Sequence, residues 1–83
     1  MDYQQIKNII AEIEAQVDYY GNILKLYPRG NMGLTVESSK DKTYYESKAR
    51  YNQWFKKLQT VNKFKVKHFK KEIREEQRLR YAR

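Results

Sequence analysis

The chain has 83 residues, a net charge of +8 and no cysteine. A domain of this size buries only about 60–65% of the surface that its unfolded chain would expose, so its core is thin. The lack of cysteine excludes disulfides, thiolate metal sites and cysteine nucleophiles, and it fits a reducing, cytoplasmic setting. No apolar run approaches the roughly 18 residues of a membrane span, and the N-terminus lacks the pattern of a secretion signal, so we expect no membrane partner.

The positive charge is confined to the second half of the chain. Residues 1–55 carry seven basic and seven acidic side chains, whereas residues 56–83 carry eleven basic side chains and only Glu72, Glu75 and Glu76. The second half therefore holds the whole net charge, and it is the part expected to face an anionic partner.

The first predicted element is a long amphipathic helix over about residues 2–27. Its apolar residues recur at alternating steps of four and three, which only a helix places on one side: Ile6, Ile10, Ile13, Val17, Tyr20, Leu24 and Tyr27. Asp2 and Gln5 have the spacing of an N-terminal capping box, and Pro28 ends the helix. Gly21 interrupts it, either as a tolerated weak point or because another helix approaches closely there.

Residues 28–40 are predicted to form a loop, because they begin with the only concentration of turn residues in the chain, Pro28 to Gly33. The two glycines fit neither the Walker pattern nor a dinucleotide-binding fingerprint, and no strand precedes them. Leu34 to Val36 is the candidate for a short extended segment.

A second helix is predicted over about residues 41–60. Thr43 and Glu46 match a capping box, and Asp41 adds negative charge near the helix N-terminus. One face of this helix complements the first helix, with Tyr44, Tyr51, Phe55 and Leu58 at its centre and Trp54 and Val61 beside it. The two helices are therefore expected to form a hairpin.

The last predicted element is a basic helix over about residues 62–80. The weak helix formers Thr60 to Asn62 mark the best place for a bend. Residues 63–68 alternate apolar and basic side chains, so a strand that pairs with residues 34–36 stays open as an alternative. Glu76 and Arg80 have the spacing of a favourable helical pair. The expected fold is all-α, a single domain over residues 1–83 built as a helical hairpin or three-helix bundle.

A stripe of cations is the strongest functional signal. On a single third helix, the offsets would align Lys63, Lys67, Lys70, Lys71, Arg74 and Arg78, and Lys56 and Lys57 would extend the stripe backward. Such a row suits a phosphate backbone, because each neutralised phosphate releases counterions. Lysine is a point charge rather than a bidentate reader of guanine, so little sequence specificity is expected. A solvated face of a lysine-rich helix is the plain alternative, but residues 56–71 contain no acidic side chain to balance it.

Aromatic residues offer a second set of candidate contacts. We expect Tyr51, Phe55 and Leu58 to pack in the core, because they share a helical stripe. Tyr45 and Trp54 fall off the centre of that stripe and are expected to be exposed, with basic Arg50 nearby and Arg29 in the loop. Exposed aromatics beside cations can stack on unpaired bases or anchor a protein partner.

Nothing in the sequence indicates catalysis. Glu12, Glu14 and Asp18 lie on the exposed side of the first helix without a group that would raise a pKa or complete a metal site. The single histidine, His68, has no visible carboxylate to orient it. We therefore expect neither an enzyme nor a bound metal or cofactor, and no small-molecule substrate.

These observations favour a non-enzymatic protein whose basic C-terminal helix docks on nucleic acid, with a second copy as a candidate partner for the surplus apolar surface of the first helix. The alternative is an adaptor or inhibitor, of the small helical kind made by phages and mobile elements. In that hypothesis the basic face and exposed aromatics bind an acidic surface on another protein, for example a nucleic-acid-processing enzyme.

Overall fold

The computed structural model describes residues 1–81 and shows three α-helices within them: α1 (Tyr3–Lys25), α2 (Lys42–His68) and α3 (Lys70–Tyr81). One turn of 3-10 helix, Glu37–Ser39, lies in the loop between α1 and α2. The all-α prediction is confirmed. α1 and α2 form an antiparallel hairpin, and the shorter α3 folds against the end of that hairpin away from the loop.

The N-terminus of α1 is capped as the sequence predicts. The Asp2 side chain accepts a hydrogen bond from the Gln5 amide at 2.7 Å, and the Gln5 side chain accepts one from the Asp2 amide at 2.9 Å. Both donors would otherwise be unsatisfied, so the pair fixes where α1 begins.

The start of α2 differs from the predicted capping box. The N-cap is Asp41, whose carboxylate accepts from the Tyr44 amide at 2.9 Å, so Thr43 lies inside the helix. The same carboxylate accepts a hydrogen bond from the Tyr27 hydroxyl at 2.6 Å. Asp41 therefore joins the end of α1 to the start of α2, a tertiary contact that a local capping pattern does not reveal.

The two long helices pack through a thin core. Within residues 1–81, the buried side chains are Ile6, Ile10, Ile13, Tyr44 and Ser47. Gly21 is a point of close approach, because a Cβ atom there would lie 3.4 Å from the Tyr51 ring. Another helix therefore does approach Gly21, but at a distance that leaves room for a methyl group.

The burial of Trp54 and Phe55 is the reverse of the sequence prediction. Trp54 is half-buried in the α1-facing side of α2, at steps of three and four from Tyr51 and Leu58, whereas Phe55 is 40% exposed. Phe55 instead stacks on the outer side of Tyr51, with ring centroids 6.0 Å apart. The interface therefore runs through Trp54, and the prediction that Trp54 is exposed was wrong.

The bend predicted at Thr60 to Asn62 does not occur there, since α2 continues to His68. Val61 is half-buried and lines a small apolar groove with Ile6 and Ile9, while the Thr60 hydroxyl donates to the Lys56 carbonyl at 3.0 Å. The packing of Val61 against α1 overrides the weak helix propensity of this segment. Residues 63–68 are thus helical, and residue 35 forms its antiparallel bridge with Arg29 instead.

The helical path breaks at Phe69, directly after the end of α2. Its backbone adopts φ −128° and ψ 34°, and its ring lies 5.5 Å from that of Tyr3 at the start of α1. The break turns α3 back toward α1 rather than letting it extend α2. The predicted basic helix over residues 62–80 is therefore divided between the end of α2 and α3.

The resulting molecule is elongated. Its principal extents are 50 × 30 × 16 Å and its radius of gyration is 17.2 Å, against roughly 12 Å for a compact domain of this length. Across residues 1–81, none of the helices is both long enough and apolar enough to cross a membrane.

Candidate anion-binding surface

Three of the predicted cations lie in a row on the outer side of α2. Lys56, Lys63 and Lys67 are separated by seven and four residues, which places them on one side of a helix. Lys63 and Lys67 lie two residues from the half-buried Val61 and Lys65, and so about 160–200° round the helix from the hairpin interface. Lys56 also lines a shallow groove that reaches Ile13 of α1. All three side chains are exposed to solvent.

The row continues across the break into α3. Lys63, Lys67 and Lys70 line one shallow depression of about 440 Å³, together with Asn62 and the exposed side chain of Val66. Residues from two different helices thus place their cations round the same concave patch.

α3 carries the remaining cations of the predicted stripe. Lys71, Arg74 and Arg78 recur at steps of three and four, and all are exposed. The stripe predicted for one helix is therefore two rows on two helices, which meet at Lys70. We refer to the outward set as the basic surface, and it comprises Lys56, Lys63, Lys67, Lys70, Lys71, Arg74 and Arg78.

A three-residue contact, here called the clasp, holds α3 against α1. Glu76 accepts a hydrogen bond from the Tyr3 hydroxyl at 2.6 Å and forms an ion pair with Lys7 at 2.5 Å. The bond from Lys7, followed by that from Tyr3, lowers the pKa of Glu76, while burial and then the bond to Glu76 raise the pKa of Tyr3 to about 12. The predicted Glu76–Arg80 pair is replaced by this long-range contact.

The clasp fixes which side of α3 faces outward. Glu72, Glu75 and Glu76 all line a depression that α3 forms with Asp2 and Tyr3 at the start of α1. Arg74 and Arg78 lie two residues on either side of Glu76, about 160° away round the helix. Glu72 and Glu76 are therefore half-buried against α1, and Glu75 lies at the exposed rim of the same depression, whereas Lys71, Arg74 and Arg78 face solvent.

Carboxylates elsewhere in the fold do not neutralise the basic surface. The ion pairs found within residues 1–81 involve Lys7 with Glu76, Lys40 with Glu37 at 2.7 Å, and Lys42 with Glu46 at 3.7 Å. None of these cations belongs to the basic surface. Because no acidic residue occurs from Ser47 to Lys71, its α2 portion has no local counterion either.

The other predicted contact residues lie apart from this surface. Lys57 lies on the flank of α2, where its ammonium is 4.7 Å from the centre of the Trp54 ring, and Arg50 is on the same flank, four residues before Trp54. Tyr45 is 55% exposed near the start of α2, in agreement with the sequence prediction. Arg29 is in the loop at the opposite end of the hairpin.

Lys65 is a site residue that sequence reasoning missed. It is half-buried, its ammonium lies 5.8 Å from the Tyr3 ring, and its charge helps to lower the pKa of Glu76. The signal was present, because Lys65 continues the three-and-four spacing of Leu58 and Val61 along the interface. This lysine therefore supports the clasp rather than the basic surface.

Within residues 1–81, no group of three or more His, Asp or Glu residues is placed to hold a metal ion. His68 contacts Phe64, with ring centroids 4.3 Å apart.

Comparison with protein-family models finds no match, and comparisons with curated proteins and with solved structures find none either.

Proposed function

We propose that this chain is a non-enzymatic nucleic-acid-binding protein whose basic surface follows a phosphate backbone with little sequence specificity. The observation that carries the proposal is the segregation of charge round α3. Its carboxylates line the depression at the start of α1, and its arginines and lysines face solvent beside those of α2. A solvated helix face with interspersed acids and bases would not show this separation.

The dimensions of the surface support a backbone contact. From Lys56 to Lys67 the α2 row spans eleven residues, about 16 Å of helix, and α3 continues it with three further turns. Phosphates on one strand of B-form DNA are spaced about 3.4 Å apart along the axis, so the α2 row alone spans several of them. Lysines supply most of the contacts, which favours affinity over base recognition.

A salt titration tests the proposal. Fluorescence anisotropy with labelled duplex and single-stranded oligonucleotides is measured between about 50 and 200 mM salt, the range over which six to ten phosphate contacts change affinity by about 10³–10⁵-fold. The expected result is a steep, linear fall of log K with log salt and nearly equal affinity for unrelated sequences. A flat salt response would count against phosphate binding.

A protein partner with an acidic surface is the second candidate. Tyr45 is 55% exposed, and the loop presents Met32 and Leu34 with most of their surface in solvent, so apolar anchors for a protein contact are available. A protein captured from nuclease-treated lysate supports this second candidate only if it also competes with the oligonucleotide for the basic surface.

Homodimerisation through α1 stays a prediction, and sedimentation equilibrium tests it.

A further inference from the structure

A separate pocket lies at the loop end of the hairpin, between the loop and the first turns of α2. It has a volume of about 420 Å³, and its polar lining comes from Arg29, Thr35, Glu37, Lys40 and Lys48, with Tyr44 beneath. A cavity of this size is within the usual range for small-ligand sites.

The loop that forms one wall is ordered by its own backbone. The Gly30 amide donates to the Leu34 carbonyl at 2.7 Å, and the Val36 amide donates to the Pro28 carbonyl at 2.8 Å. Gly33 has a φ of +73°, a conformation that glycine adopts without strain. The wall is therefore a closed turn that holds Arg29 and Thr35 opposite α2.

The three cations of the pocket are held in position. The Lys40 ammonium lies 2.7 Å from Glu37 and 5.3 Å from the centre of the Tyr44 ring, and its side chain is only 21% exposed. The Lys48 ammonium is 6.0 Å from the same ring. Both ammonium groups therefore lie near the Tyr44 ring, which lines the pocket. The Arg29 guanidinium donates to the Gly33 carbonyl at 3.3 Å, which leaves further donors available.

The net charge of the residues that line the pocket indicates the class of ligand. Three cations and one carboxylate leave an excess of two positive charges, which matches a phosphate monoester dianion. Lysine ammoniums and an arginine fork are the usual partners of phosphate, and the Thr35 hydroxyl adds a neutral donor. We infer that the loop pocket binds a phosphate group through Arg29, Lys40 and Lys48. The contacts come from side chains, unlike the backbone cradle of a Walker loop.

This site is distinct from the basic surface. The two share no residue, and their nearest members on α2, Lys48 and Lys56, are eight residues apart, which corresponds to about 12 Å along the helix. The inference therefore stands whether or not the basic surface binds nucleic acid. The phosphate group has two sources, a free anion or the end of a nucleic-acid strand, and the experiment distinguishes them.

The test is a calorimetric titration with inorganic phosphate, followed by anisotropy measurements with the same oligonucleotide carrying either a 5′-phosphate or a 5′-hydroxyl group. Lys48→Gln is expected to weaken phosphate binding roughly 10-fold, because a charge-assisted hydrogen bond is lost, and Glu37→Gln is expected to strengthen it. Lys25→Gln removes the same charge from α1, and Lys67→Gln/Lys70→Gln alters only the basic surface. Both controls should bind inorganic phosphate like the wild type.

The outcomes separate cleanly. Saturable phosphate binding without an end preference identifies a free anion as the ligand, whereas a 5′-phosphate preference that Lys48→Gln removes identifies a strand end. The inference is overturned if inorganic phosphate shows no saturable binding and the two oligonucleotides bind alike, or if Lys25→Gln weakens binding as much as Lys48→Gln. Loss of oligonucleotide binding in Lys67→Gln/Lys70→Gln alone concerns the basic surface and not the pocket.

Discussion

The Tyr3 hydroxyl donates a 2.6 Å hydrogen bond to the Glu76 carboxylate, joining the first turn of the chain to its last helix. Lys7 binds the other oxygen of the same carboxylate. α3 has few contacts with either of the other helices, and this clasp is the polar contact that joins it to α1. The position of the α3 part of the basic surface thus depends on Glu76, one of the three acidic residues in the second half of the chain.

Glu76→Gln is expected to loosen α3 from the hairpin, because it removes the negative charge that pairs with Lys7. The measurement is amide hydrogen exchange over residues 70–81, where we expect clearly faster exchange while α1 and α2 keep their protection. Glu75→Gln is the matched control, since it makes the same charge change without a hydrogen bond in the structure. Equal exchange in the two variants would contradict the role of the clasp.

The clasp should fail at both extremes of pH. The pKa of Glu76 is lowered from 4.5 on folding, so its contribution is present above that pH and is lost as the pH falls through the lower folded value. The pKa of Tyr3 is raised from 10.0 to about 12, so its contribution is present below pH 10 and is lost as the pH rises toward 12. The readout is amide exchange or nuclear magnetic resonance of α3. Tyr3→Phe should diminish the alkaline change and retain the acidic one.

Gly21→Ala should stabilise the hairpin by up to about 1 kcal/mol, the difference in helix propensity between the two residues. The new methyl group would lie 3.4 Å from the Tyr51 ring, an ordinary van der Waals contact. Gly21→Leu should instead destabilise the fold, because the longer side chain collides with that ring. Urea denaturation followed by circular dichroism gives both values, and destabilisation by alanine would show that the helices approach more closely than the structure indicates.

Trp54→Ala should cost more stability than Phe55→Ala. Trp54 lies in the α1–α2 interface, whereas Phe55 is 40% exposed and packs on Tyr51 from outside. Partial burial keeps the cost of Trp54→Ala below the roughly 3–5 kcal/mol expected for a fully buried aromatic residue, and that of Phe55→Ala near 1 kcal/mol. The comparison uses chemical denaturation of both variants, and the reverse order would restore the assignment suggested by the sequence.

Local spacing was sufficient to predict α1 and the hairpin. Ile6, Ile10 and Ile13 fix the buried side of α1, and Asp2 with Gln5 fixes its start, because both signals involve residues within two helical turns. The centre of the α2 stripe was harder to place. Neighbouring residues differ by about 100° round a helix, so a small error in that centre exchanged Trp54 with Phe55.

Three other errors involve contacts between residues distant in the chain. The break at Phe69 depends on Tyr3, and the choice of Asp41 as N-cap is reinforced by Tyr27. Glu76 has an arginine at the favourable local spacing, yet it bonds to α1 instead. The loop pocket likewise needs Arg29, Lys40 and Lys48 brought together by the fold, so no motif in the sequence announces it.

The salt dependence of nucleic-acid binding by two charge-matched double variants tests the central proposal most directly. Lys67→Gln/Lys70→Gln removes two cations from the basic surface, and Lys25→Gln/Lys42→Gln removes two from elsewhere. We predict that the first variant lowers the slope of log K against log salt by about 1.8 on duplex DNA, at 0.9 per phosphate contact, and that the second leaves it near the wild-type value. Equal slopes in the two variants would contradict the proposal, because binding would then follow net charge and not the surface that the fold assembles.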